Sequence, residues 1–122
     1  MNFYYDKLDH VQLAAPVGTE ETARKFYGDL LGFKEVEKPI LLKKLGGVWF
    51  EAGQVQLHIG IEEPFSPAKK AHPAIRVKNI ENMKIYLKEQ NIEFSIDDRI
   101  PGANRFHMSD PFGNRIEFME WI

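Results

Sequence analysis

The sequence predicts an α+β fold in which one unit, a strand followed by a helix and about three strands, occurs twice. Two amphipathic segments with helical spacing lie at corresponding places in the two halves, each preceded by one short β-type run and followed by several. A chain of 122 residues with 43% hydrophobic residues can bury one core. We therefore expect a single domain of two βαβββ modules, at about residues 1–63 and 71–122, with a joint at 64–70.

The first half begins with a predicted strand at residues 9–15. The segment 20–31 follows with apolar side chains at helical spacing, and Thr19 is its candidate N-cap and Gly32 the residue that ends it. Strands are predicted at 47–52 and 54–61, separated by Gly53. Weaker strand signals lie at 34–37 and 40–45.

The second half repeats this order after a joint that contains two prolines and no periodic pattern. A strand is predicted at 73–78, and a helix follows Asn79 and is closed by Asn91, a residue that tolerates the left-handed conformation. Strands at 104–108 and 114–121 flank a turn at 110–113, with a weaker strand at 93–97. Because a half of about 60 residues buries little surface alone, the joint is not a domain boundary.

Composition excludes several classes of function. The chain has no cysteine, which excludes disulfides, thiolate metal sites and a cysteine nucleophile. Sixteen basic and eighteen acidic residues give a net charge of −2 without a block of one sign, which argues against binding to nucleic acid or a membrane surface. No serine lies in a nucleophile-elbow context. No secretory signal or membrane span is evident, so the cytoplasm is the expected location.

Four side chains that can bind a metal occupy corresponding positions in the two halves. His10 and His72 open the first strand of each half, whereas His58 and Glu117 lie in the last strands. Strand alternation places them opposite the apolar side chains, so they could line one polar concavity. A lone histidine there is ordinary surface, but a matched double placement favours a site. Imidazole and carboxylate suit Zn, Ni, Co, Mn or Fe(II) without selecting one ion.

The chain resembles the vicinal oxygen chelate superfamily, which includes glyoxalases, bleomycin-binding proteins and extradiol dioxygenases. The similarity extends over nearly the whole chain, and its most specific segments are residues 8–11, 23–27 with 31–33, and 110–117. It implies paired βαβββ modules around a divalent metal. The implied ligands are His10, His72 and Glu117, with His58 as a fourth. The implied substrate-facing residues are Gln12, Trp49, Gln56 and His107.

The resemblance implies a metal-dependent lyase or isomerase of glyoxalase type, in which a small substrate chelates the metal through two neighbouring oxygens and Glu117 moves the proton. Two alternatives remain open: a metal-free binding protein with Trp49 and Phe106 as walls, and an Fe(II) ring-cleaving dioxygenase. Gln12 differs from the threonine usual in fosfomycin thiol transferases. Small members commonly form homodimers with shared active sites, and the rival is a monomer that pairs its own modules.

Overall fold

The computed structural model describes all 122 residues, which form two compact units, Met1–Phe65 and Ser66–Ile122. We call these units module 1 and module 2. Each contains a four-stranded sheet in which the first strand pairs with the fourth, the fourth with the third, and the third with the second. The structure therefore confirms the predicted α+β fold with two βαβββ modules.

Module 1 forms its sheet from strands at both ends of the unit, and β1 runs parallel to β4 while the other pairs are antiparallel. The strands are β1 (Val11–Ala15), β2 (Lys34–Val36), β3 (Val48–Ala52) and β4 (Val55–Ile61). The helical elements are α1 (Glu20–Ala23), which continues as a π-helical segment, Arg24–Leu30, and α2 (Ile40–Lys43).

The predicted helix at 20–31 is present, but most of it has π-helical hydrogen bonding. Its buried face presents Phe26 and Tyr27 to the sheet, where the Tyr27 ring centroid lies 5.7 Å from that of Phe50. Thr19 occupies the N-cap position as predicted, yet its hydroxyl donates to the Pro16 carbonyl at 2.6 Å and caps no backbone N–H. Gly32 ends the helical segment with a φ of 79°, a conformation that glycine adopts without strain.

The prediction of a weak strand at 40–45 is wrong, because Ile40–Lys43 form the short helix α2. A short apolar run fits a single turn of helix as well as a strand, and its length cannot distinguish them. Pro39 occupies the N-cap position of α2 with a φ of −55°, and the fixed φ of proline is compatible with the start of a helix.

Module 2 contains one regular helix packed on its sheet. Asn79 precedes α3 with a φ of 60°, and the Glu120 carboxylate accepts the backbone N–H groups of Asn79 and Ile80. Asn91 has a φ of 59°, as expected for the residue that closes the helix. The elements are β5 (Ala74–Arg76), α3 (Ile80–Glu89), β6 (Ser95–Ile96), β7 (Ala103–Ser109) and β8 (Arg115–Trp121).

The core of module 2 includes Phe106, which is fully buried with its ring centroid 4.7 Å from that of Phe94 and 5.5 Å from that of Phe118. The expectation that Phe106 forms a wall of a binding pocket is therefore wrong. Alternation along β7 turns Phe106 to the side opposite its neighbours Arg105 and His107. None of the helices has the length and apolar character needed to span a bilayer.

Candidate metal centre

The strand register of module 2 brings three side chains with metal-binding atoms together. In the antiparallel pair β7–β8, His107 lies directly opposite Glu117, so their side chains project from the same face of the sheet. His72 lies two residues before β5, and β5 pairs with β8 so that Ala74 is opposite Glu117. The Glu117 N–H donates to the Pro73 carbonyl, which holds His72 beside the carboxylate.

One oxygen of Glu117 faces both histidines. Glu117 Oε1 lies 2.9 Å from His72 Nε2 and 3.3 Å from His107 Nε2. The ligand atoms of His72, His107 and Glu117 all lie within 4.8 Å of one another. Two imidazoles and a carboxylate at this spacing fit the chemistry of a divalent metal site, and these residues could hold one ion.

Both ring nitrogens of His72 contact oxygen atoms, and together these contacts can accommodate one additional proton or cation. His72 Nδ1 lies 2.8 Å from the Lys70 carbonyl oxygen, while Nε2 faces the Glu117 carboxylate. Both partners only accept hydrogen bonds, and a neutral imidazole carries one N–H. The single proton of a neutral His72 can therefore serve only one of these contacts, and at the other contact a ring nitrogen faces an oxygen with no proton between them. A second proton or a metal ion between these atoms satisfies both of them.

The surroundings keep the donor atoms in the form that binds metal. Burial raises the pKa of Glu117, but hydrogen bonds from Arg105 and His72 outweigh it, so the pKa lies below its ordinary value. Burial lowers the pKa of His107, and the charge of Arg115 lowers it further. An ionised carboxylate and a neutral imidazole are the forms in which these groups coordinate a cation.

A buried chain of ion pairs contacts the second oxygen of Glu117, and the sequence did not predict it. Arg105 Nη1 donates to Glu117 Oε2 at 2.9 Å, and Arg105 Nη2 lies 2.9 Å from Asp97 Oδ2. Asp97 also accepts two side-chain hydrogen bonds from Arg99. One sequence signal was present, since Arg105 lies two residues before His107 and therefore shares its face of the strand. No comparable signal connects Asp97 to Arg105.

In module 1, three rings form a stack. The Trp49 and His58 centroids lie 3.8 Å apart with planes 4° from parallel, and His10 stacks on His58 at 4.2 Å. Register explains the first contact, because Trp49 is opposite His58 in the β3–β4 pair. His10 Nδ1 contacts the Asp9 carboxylate at 2.9 Å, which leaves Nε2 as the nitrogen available for another partner. Burial lowers the pKa of His58, and the charge of His10 adds to this effect.

The predicted substrate-facing glutamines lie on the sheet of module 1. Gln12 is opposite His58 in the β1–β4 pair, and its amide lies over Gly60, where an added Cβ would approach Nε2 to 2.6 Å. Gln56 Nε2 donates to Glu51 Oε2 at 3.1 Å. Trp49 is half-buried and also borders a cleft of about 330 Å³ whose lining includes Arg24 and Lys38.

The structure thus brings the predicted residues together in two groups. His72 and Glu117 meet in module 2 together with His107, which we expected to face the substrate. His10 and His58 meet in module 1, where Trp49 and Gln12 adjoin them.

The sequence and fold resemble those of known proteins over most or all of the chain. The chain is 53% identical to a protein assigned to the glyoxalase family from Bacillus anthracis, with a TM-score of 0.97 and complete coverage of both chains. A glyoxalase family protein from Enterococcus faecalis is 25% identical, with a TM-score of 0.74 over 97% of this chain and 100% of that one. Lactoylglutathione lyase from Agrobacterium tumefaciens has the same fold at 20% identity, with a TM-score of 0.68 over 89% and 90% of the two chains.

No curated protein matches the sequence. The sequence profile of the Glyoxalase/Bleomycin resistance protein/Dioxygenase superfamily, however, matches residues 7–118. With this match over almost the whole chain and the two βαβββ modules, the protein belongs to that superfamily.

Proposed function

We propose that the protein is a divalent-metal-dependent enzyme that binds a small substrate through two neighbouring oxygens and carries out lyase or isomerase chemistry. The observation that supports this most is the convergence of His72 Nε2, His107 Nε2 and Glu117 Oε1. Two imidazole nitrogens and a carboxylate oxygen that converge in this way can coordinate one divalent cation.

The proposed ligands are His10, His72 and Glu117, with His58 as a fourth. His10 and His72 each have Nδ1 at a hydrogen-bond acceptor, Asp9 for His10 and the Lys70 carbonyl for His72, so Nε2 is the nitrogen that would bind a metal, and in His72 it already faces Glu117 Oε1. His107 is a further ligand candidate, since its Nε2 approaches the same carboxylate oxygen. A bound divalent ion would supply Lewis-acid stabilisation of negative charge on a substrate oxygen.

Residues of the chain would bind the substrate and transfer its proton. Glu117 is the buried carboxylate of the site, and it would accept a proton from a substrate carbon and return it. Gln12, Gln56 and Trp49 offer amide hydrogen bonds and a flat ring on one sheet of module 1. Lactoylglutathione lyase from Agrobacterium tumefaciens has the same fold, which agrees with chemistry of this type but does not assign a substrate.

Metal binding is the first test of this proposal. Elemental analysis of protein purified without added metal, followed by calorimetric titration with Zn²⁺, Ni²⁺, Co²⁺ and Mn²⁺, should give about one ion per chain. Small molecules with adjacent carbonyl and hydroxyl oxygens should then perturb the visible absorption of the Co²⁺ form. Protein that binds none of these ions would contradict the proposal and favour a metal-free binding protein, for which the exposed faces of the ring stack are the candidate surface.

A second candidate function is oxygenation on Fe(II). Two histidines and one carboxylate within 4.8 Å match the ligand set that non-haem iron oxygenases use. Anaerobic loading with Fe²⁺, followed by oxygen-uptake measurements with a catechol, distinguishes the candidates. Oxygen uptake that depends on both the protein and the catechol would favour the oxygenase.

We also propose that the protein is a homodimer whose sites combine module 1 of one subunit with module 2 of the other. Each module contributes part of the proposed ligand set, and a two-fold interface would complete both sites at once. Module 1 exposes several large apolar side chains that a subunit interface could cover, among them Tyr5, Ile40 and Leu41.

Subunit exchange tests this arrangement. His10→Ala and Glu117→Ala variants, each unable to bind metal, are mixed and their exchange is followed by mass spectrometry. In a mixed dimer with shared sites, both lesions fall in one site, so the other site is intact and one site in each mixed dimer regains metal. A mixture that exchanges but stays metal-free would place both ligands in one chain.

A further inference from the structure

The two oxygens of Glu117 have different partners. Oε1 faces His72 Nε2 at 2.9 Å and His107 Nε2 at 3.3 Å, whereas Oε2 accepts a hydrogen bond from Arg105 Nη1 at 2.9 Å. We infer that Arg105, held by Asp97, is a positioning residue that fixes Glu117 so that it presents one oxygen to the metal. This inference rests on the proposed metal-dependent function.

Arg105 can hold Glu117 in one orientation because a second carboxylate, that of Asp97, contacts the other terminal nitrogen of the guanidinium. Arg105 Nη2 lies 2.9 Å from Asp97 Oδ2, and the side chains of Asp97, Arg105 and Glu117 are all at least nine-tenths buried. The backbone adds a further connection, since the Asp97 N–H donates to the Arg105 carbonyl at 3.0 Å. A guanidinium is planar and presents its donors in a fixed geometry, so binding to Asp97 also sets the direction of Nη1.

Without this contact, the Glu117 carboxylate could turn. Rotation about the last side-chain bond of glutamate is broad and nearly two-fold, so either oxygen could face the histidines. The hydrogen bond at Oε2 removes that freedom and neutralises part of the charge of the carboxylate. Residues that orient metal ligands in this way typically change metal affinity about 10–100-fold when mutated.

The chain provides a matched control in Arg99. Both arginines bind Asp97, but only Arg105 reaches Glu117, and the Arg99 side chain is 77% exposed. A variant at Arg99 therefore removes a cation from Asp97 and leaves the Arg105–Glu117 contact in place.

The experiment is a Co²⁺ titration of the full chain, followed by calorimetry and by visible absorption. We expect Arg105→Met to weaken Co²⁺ binding by about 10–100-fold, and Arg99→Met to leave it within about two-fold of wild type. At saturation, the Arg105→Met spectrum should have lower molar absorption, because a freed Oε2 adds a ligand and Co²⁺ absorbs more weakly as its coordination number rises. A change in stability alone would not alter that spectrum.

A second variant keeps the inference testable if Arg105→Met does not fold. Arg105→Lys retains the charge but has one ammonium group, which cannot hold both carboxylates in the planar arrangement, so we expect an intermediate loss. The inference is overturned if the Arg105 variant that folds has the Co²⁺ affinity and the spectrum of the wild type. It is also overturned if Arg99→Met loses as much Co²⁺ affinity as the Arg105 variant. Wild-type protein that binds no Co²⁺ would overturn the proposed function and this inference together, whereas normal wild-type binding with an unaffected variant overturns the inference alone.

Discussion

Replacing Glu117 by glutamine should abolish metal binding and leave the fold intact. A glutamine has nearly the same shape, and its amide oxygen can accept the hydrogen bond from Arg105 Nη1 that Oε2 accepts in the wild type. The amide NH₂ then faces His72 and His107, whose Nε2 lone pairs accept its two protons. The variant therefore satisfies the polar atoms of the site without a cation.

The expected magnitudes follow from these contacts. Hydrogen bonds to charged groups contribute about 1.5–3 kcal/mol and neutral ones about 0.5–1.5 kcal/mol, so Glu117→Gln should lower the free energy of unfolding by only about 1–2 kcal/mol. Glu117→Ala removes one partner of a buried ion pair and should lower it by about 3–5 kcal/mol. Metal affinity should fall more than about 100-fold, or about 2.7 kcal/mol, because residues that merely orient a ligand already change it 10–100-fold.

Urea denaturation measures the stability of each variant, and calorimetric titration with Zn²⁺ or Co²⁺ measures its metal affinity. Glu120→Gln is the matched control, because Glu120 lies on the same strand but binds the backbone at the start of α3. This control should bind metal as the wild type does. A Glu117→Gln variant with an affinity within about ten-fold of wild type would show that Glu117 is not a ligand, and a loss of stability as large as that of Glu117→Ala would refute the proposed amide pairing.

Two further predictions concern stability. Hydrogen bonds from Arg99 hold the pKa of Asp97 well below its ordinary value of 3.8 despite its burial. This stabilisation is present above that value and lost as the pH falls, because the unfolded carboxyl then binds a proton that the folded one does not. Urea denaturation between pH 2 and 7 should therefore show Asp97→Asn to be less stable than wild type at pH 7 and less sensitive to acid, and parallel curves would contradict this. Trp49→Ala should cost clearly less than Phe106→Ala, a core truncation expected to cost about 3–5 kcal/mol, and equal losses would place Trp49 in the core.

Much of the fold could be predicted because each module repeats a strongly periodic pattern with clear end signals. Asn91 and Gly32 end their helical segments in the left-handed conformation, as their residue types indicate. The segment 40–45 was misassigned because periodicity cannot distinguish a short apolar turn from a strand. The π-helical hydrogen bonding of Arg24–Leu30 still buries Phe26 and Tyr27, and the spacing of the apolar residues does not distinguish it from an α-helix.

The candidate site was harder to predict because it depends on which residues lie opposite one another across strands. Alternation correctly placed Glu117 and His58 off the apolar face, but it does not give the register between strands. Register puts His107 beside Glu117, and it puts Trp49 beside His58 at the corresponding position of module 1. Asp97 was missed for a related reason, since its contact with Arg105 comes from the pairing of β6 with β7 and from no sequence motif.

The two modules therefore share one backbone plan but differ in the chemistry of one cross-strand pair. In module 1 the pair is Trp49 with His58, and the stack that forms lowers the pKa of the histidine through burial. In module 2 it is His107 with Glu117, and buried charges surround the pair. A neutral imidazole against a flat ring can offer a ligand atom or a binding surface, whereas the Glu117 carboxylate is paired with Arg105 through Oε2 and directs Oε1 toward two histidines. The three ligand atoms that converge within 4.8 Å all lie in module 2, so variants there should change metal affinity more than matched variants in module 1.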